Sequence, residues 1–156
     1  MGRVLVLGYG NPLRGDDGAG RRIAEELEAR GFDGYCVQVQ ILHQLLPEVA
    51  ETLSHFTHAV FVDASLEGTP GRIAVQTLVP QGCATAFSHE LDPASLLASA
   101  EILYGHTPES ILVSVAGRSF EPGEGLSAEV QAAIPAAVEW IRDWIEEQTQ
   151  KVEQYA

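Results

Sequence analysis

The sequence predicts an α/β protein, a three-layer α/β/α sandwich with a mostly parallel central sheet, folded as one domain over residues 1–156. Three observations carry this. Short apolar runs rich in β-branched residues alternate with amphipathic helical segments, the pattern of strands crossing over through helices. No repeat, linker or low-complexity tract divides the chain. With 156 residues, 46% of them hydrophobic, the chain is long enough to bury roughly 70% of its extended surface.

The first strand is residues 4–7, an almost purely apolar run closed by Gly8-Tyr9-Gly10-Asn11-Pro12, as suits a central strand covered on both faces. After Asp17-Gly18, Ile23 and Leu27 mark an amphipathic helix that should end at Gly31. Residues 35–41 form a second strand. Residues 44–53 carry Leu45, Leu46, Val49 and Leu53 at helical spacings, with Pro47 in the first turn. Residues 59–62 are the third strand, ending in Asp63. Residues 72–79 alternate as an edge strand, since Arg72 and Gln76 need water.

A loop then carries Cys83, Phe87, Ser88 and His89. Asp92 and Pro93 suit the N-cap and first residue of a helix whose buried stripe is Leu96, Leu97 and Ile102. Residues 111–115 are another apolar strand, and residues 117–125 a glycine-bearing stretch. Ser127 can cap the last helix, where Val130, Ile134, Val138, Ile141 and Ile145 form the apolar stripe. Pro135 should bend or break this helix, and the polar tail after Glu146 should fray.

The formal net charge is −13, from 22 acidic against 9 basic residues, and no Lys or Arg occurs between Arg72 and Arg118. Such a chain repels nucleic acid and anionic membranes and favours cations or a basic protein partner. The opening apolar run is too short for a signal peptide or a membrane span, so a cytoplasmic protein is expected. Cys36 and Cys83 lack paired spacing and lie among apolar residues, which predicts reduced, buried thiols.

Right-handed crossovers place loop residues at the carboxyl ends of the strands. Asn11 and Asp17 follow the first strand, Asp63 ends the third, and His89 lies in a later loop, so the three potential ligands Asp17, Asp63 and His89 map to one rim. Two carboxylates and an imidazole can coordinate a borderline divalent ion such as nickel or zinc and leave positions open. Capping or turn-anchoring is the plainer reading of Asp17 and Asp63, and polar surface or core lining that of His89. Gly8-Tyr9-Gly10-Asn11 is a poor dinucleotide fingerprint: its third glycine position is Leu13, and Asp16 and Asp17 would repel a pyrophosphate. There is no GxxxxGK, G-x-S-x-G or HExxH motif.

The opening stretch from Val4 through Gly8-Tyr9-Gly10-Asn11-Pro12-Leu13-Arg14-Gly15-Asp16-Asp17-Gly18-Ala19-Gly20 resembles the signature of the hydrogenase maturation endopeptidases. Val62-Asp63-Ala64, Ser88-His89 with Leu96-Leu97 downstream, and Tyr104-Gly105 before Pro108 extend the resemblance over essentially the whole chain. The segment from His43 to Glu48 resembles a variant from the branch serving soluble or bidirectional hydrogenases. Where many members carry a Gly-Glu-Pro-like turn, this chain departs with Ala116-Gly117-Arg118-Ser119-Phe120-Glu121-Pro122.

The resemblance implies removal of a C-terminal extension from the large-subunit precursor of a nickel–iron hydrogenase. It implies nickel supplied by that substrate and met by Asp17, Asp63 and His89, with zinc as a possible surrogate. Activated water would attack a peptide carbonyl near the metal. Asp16 is then a candidate general base, or a helix-start acid. Two rival readings are a metallopeptidase with its own zinc and a non-catalytic metallochaperone that recognises the nickel-loaded subunit.

Overall fold

The structure is a computed structural model that describes residues 2–81 and 91–155, with side chains as far as residue 150. Among these residues five strands form one sheet: β1 (Arg3–Tyr9), β2 (Cys36–Leu42), β3 (His58–Ser65), β4 (Ile73–Leu78) and β5 (Glu109–Ala116). Their spatial order is β2-β1-β3-β5-β4, with every pair parallel except β4 on β5. Among the described residues four helices cover the sheet: α1 (Ala19–Arg30), α2 (Val49–Leu53), α3 (Pro93–Tyr104) and α4 (Ala128–Tyr155).

Alternation along the strands makes two cores. Val4, Val6, Val60, Val62, Val113 and Val115 face α1 and α4, and meet the Val130–Ile134–Val138–Ile141–Ile145 stripe. Leu5, Leu7, Ala59 and Phe61 face α2 and α3, and meet Leu53, Leu96 and Leu97. The expected α/β/α sandwich is therefore observed. Because α1 follows β1 on one face and α2 follows β2 on the other, the chain reverses direction across the sheet between β1 and β3. That is where an open α/β sheet leaves a crevice at its carboxyl edge.

Two glycines press α1 onto this crevice. A Cβ on Gly8 would lie 2.3 Å from the Ala24 Cβ, and one on Gly20 would lie 2.2 Å from the Val62 carbonyl oxygen. Only hydrogen at both positions lets the start of α1 reach the ends of β1 and β3.

Several elements differ from expectation. The helix expected over residues 44–53 is reduced to Val49–Leu53, because Pro47 disfavours a helical conformation in Leu46, which is 37% exposed. Strand β3 runs on through Asp63 to Ser65, since β5 stays paired with it as far as Ala116. Ile102 is not in the α3 stripe but 78% exposed. At about 100° per residue it points well away from Leu96 and Leu97.

Cys36 is exposed, because it opens the edge strand β2. Cys83 lies outside the described residues. Pro135 does not break α4, and the tail does not fray: the helix continues to Tyr155, with Thr149 buried and its hydroxyl donating to the Ile145 carbonyl at 2.9 Å. Among the described residues no helix is long and apolar enough to cross a membrane.

Candidate active site

The loop leaving β1 is shaped so that Asp17 turns back toward the strand. Gly10 takes φ 142°, and a Cβ there would sit 2.0 Å from the Asp17 carbonyl oxygen. The Asn11 side chain accepts from the Leu13 amide at 2.9 Å, tightening the turn. One 3-10 turn over Gly15–Gly18 follows and runs directly into α1. In this frame the Asn11 amide donates to Asp17 Oδ2 at 2.8 Å, fixing that carboxylate at the mouth of the crevice.

Asp63 stands across the crevice on β3. Both of its oxygens accept a hydroxyl: Ser114 Oγ donates to Oδ1 at 2.6 Å and Tyr9 Oη to Oδ2 at 3.0 Å. Burial pushes the Asp63 carboxyl up, the two hydroxyls oppose that, and the nearby Asp17 charge adds to the rise. The net direction is upward. Burial together with the Asp63 carboxylate also drives the Tyr9 phenol well above its ordinary range. Asp17 and Asp63 thus form a carboxylate pair at the switch point, close enough for the Asp17 charge to act on Asp63.

Asp16 does something different from its neighbour. It is 1% exposed, and its oxygens accept from the Arg118 amide (2.7 Å), the Ser119 amide (3.2 Å), the Ser127 amide (2.7 Å) and the Ser127 hydroxyl (2.8 Å). Burial works to raise its pKa, but the four donors outweigh it and the net shift is downward. A carboxylate so satisfied is a poor proton acceptor and a good anchor. It ties the Gly15–Gly18 turn to the 117–127 loop and to the start of α4. Parallel backbone bonds between Gly15 and Gly123, and between Asp16 and Ser119, reinforce the tie.

Of the four residues singled out from sequence, the structure brings Asp17 and Asp63 together and engages Asp16 with the 117–127 loop. His89 lies outside the described residues. Among the described residues no group of three or more His, Cys, Asp or Glu side chains is gathered as a metal cage. The donors that are described, two carboxylates, fit a divalent ion only with further ligands from elsewhere.

Sequence reasoning overlooked Tyr9 and Ser114. The signals were present. Tyr9 continues the Leu5, Leu7 alternation toward the α2–α3 face, and Ser114 is the one hydroxyl in an otherwise apolar run over residues 111–115.

The sequence matches no protein-family model. It is 31% identical over 146 residues to the hydrogenase 2 maturation protease of Escherichia coli strain K12, an alignment covering 89% of this chain and 88% of that protein. Its fold is similar to the hydrogenase maturating endopeptidase HybD from E. coli, with TM-score 0.77 and 28% identity, covering 94% of this chain and 93% of that one. It is also similar to the hydrogenase 2 maturation peptidase from Thaumarchaeota archaeon SCGC_AB-539-E09, with TM-score 0.68 and 32% identity, covering 90% and 96% respectively. Sequence and architecture agree over nearly the full length of both partners, and the chain belongs to the hydrogenase maturation protease family.

Proposed function

We propose that the protein is an endopeptidase that removes the C-terminal extension of a hydrogenase large-subunit precursor, and that it reads nickel already held by that precursor. The observation that carries this reading is the Asp17–Asp63 pair at the switch point between β1 and β3, in a chain of this family. Oxygen donors suit a borderline divalent ion completed by an imidazole, the part assigned to His89. Nickel here is part of the substrate, and zinc can take its place in binding experiments. An ion held this way polarises a nearby peptide carbonyl for attack by water. The whole of residues 1–156 serves this one task, in the cytoplasm. Asp16 acts as the anchor that sets the Asp17 turn against the 117–127 loop.

The test is intact mass of nickel-loaded and nickel-free precursor over time. Wild type should shorten only the nickel-loaded form. Asp17→Asn and Asp63→Asn should abolish shortening while melting close to wild type, since neither side chain belongs to the apolar cores. Equal processing of both precursor forms would remove nickel as the recognised feature. Binding of the loaded precursor without any mass change would instead favour a chaperone.

A further inference from the structure

Three adjacent strands carry three polar side chains in one row. Asp63 on β3 is in register with Ser114 on β5. On its other side Gly8 pairs with Val62, which brings Tyr9, the next residue of β1, level with Asp63. Residues abreast in parallel strands point to the same face, here the face of α2 and α3. Below this row the same face is Leu7, Phe61 and Leu112, all apolar. The row is therefore where the sheet changes from core to site, and each neighbour of Asp63 contributes one hydroxyl to one of its oxygens.

We infer that Tyr9 and Ser114 are positioning residues for Asp63, clamping its carboxylate from both flanking strands so that its remaining lone pairs meet the substrate's metal in one fixed orientation. A carboxylate on a strand can rotate about its terminal torsion, which is soft and roughly two-fold. One hydroxyl would restrain it, and two from opposite sides lock it. Tyr9 reaches its partner with an aromatic ring that also packs on the core beneath, so the phenol is itself held. Among the described residues, each of the two hydroxyls donates to Asp63.

This inference rests on the proposed role of Asp63, and the experiment separates the two. Tyr9→Phe, Ser114→Ala, Ser114→Thr and Asp63→Asn are compared for kcat and KM on nickel-loaded precursor, and for zinc-ion affinity of the free protein by calorimetry. Removing either hydroxyl should lower kcat and zinc affinity by about 10-fold with KM little changed, the usual effect of losing a group that orients a ligand. Ser114→Thr, which keeps a hydroxyl on a β-branched frame, should restore both. Circular dichroism and melting close to wild type should accompany Tyr9→Phe. If Asp63→Asn abolishes processing while Tyr9→Phe and Ser114→Ala keep wild-type kcat and zinc affinity, the clamp is wrong and the enzymatic reading stands. A Ser114→Thr variant as impaired as Ser114→Ala would also overturn it. If Asp63→Asn itself processes normally, the functional reading fails and takes the clamp with it.

Discussion

Asp16 and Asp17 are adjacent and identical in type, yet their surroundings give them opposite tasks. Asp16 is buried under four donors, so Asp16→Asn replaces two accepting oxygens by one and sets an amide against N–H groups. It should cost about 2–4 kcal/mol at pH 7, measured by urea unfolding. Its folded pKa is depressed, so its stabilisation is present above the unfolded value and lost as pH falls through the folded one. The gap between wild type and variant should therefore close only below about pH 4, and a gap unchanged down to pH 2 would contradict the assignment. From sequence the pair was legible as acids at a helix start, and Asp17 as the one facing the rim. That Asp16 reaches residues 118, 119 and 127 was not legible, because a contact spanning more than 100 positions leaves no local pattern. Tyr9 and Ser114 were hidden for a related reason: each is unremarkable in its own strand, and only the register across β1, β3 and β5 makes them a pair.

Elements were legible wherever period and punctuation agreed. Asp92 caps α3 by accepting from the Ser95 amide at 2.7 Å, with Pro93 in its first turn, and Gly31 and Gly105 close α1 and α3 at positive φ. Disagreement arose where a local rule met tertiary packing. Pro135 should stop a helix, but it lies on the exposed side of α4, while Ile134, Ala137 and Val138 on either side of it are buried against the sheet. Burial of the Val130–Ile145 stripe outweighs the missing N–H to the Gln131 carbonyl. Since the ring faces solvent, Pro135→Ala should restore that bond without disturbing the core and stabilise the fold by roughly 1–3 kcal/mol. Thermal melting checks this, and a variant that melts lower than wild type would show that the ring makes contacts the helix needs. Glycine reads differently: in the sequence Gly8 only closes the first strand, whereas in the fold Gly8 and Gly20 let α1 touch β1 and β3.

Across the whole molecule, charge is segregated by layer. Between Arg30 and Arg118 the sequence has a single basic residue, Arg72, and that stretch supplies β2, α2, β3, β4, α3 and β5. The basic residues are otherwise concentrated in β1 and its loop, α1, Arg118 and α4, where Arg22 meets Glu26, Arg30 meets Glu139 and Arg118 meets Glu129. Those exposed pairs contribute little stability each, but they neutralise the α1–α4 layer locally. The α2–α3 layer keeps Glu48, Glu51, Asp92 and Glu101 with no basic residue in either helix, on the same face as the Tyr9–Asp63–Ser114 row. The negative potential of this layer attracts cationic partners over a Debye length of roughly 10 Å at 0.1 M salt. If precursor docking uses this field, kcat/KM for nickel-loaded precursor should fall several-fold between about 0.05 and 0.5 M sodium chloride while kcat holds, because screening slows encounter and not chemistry. Glu48→Gln and Glu101→Gln, both remote from the carboxylate pair in sequence and each in the α2–α3 layer, should flatten that salt dependence and leave kcat unchanged. A kcat/KM indifferent to salt in wild type would show that the acidic layer serves solubility alone, and that the precursor is recognised at the crevice without long-range steering.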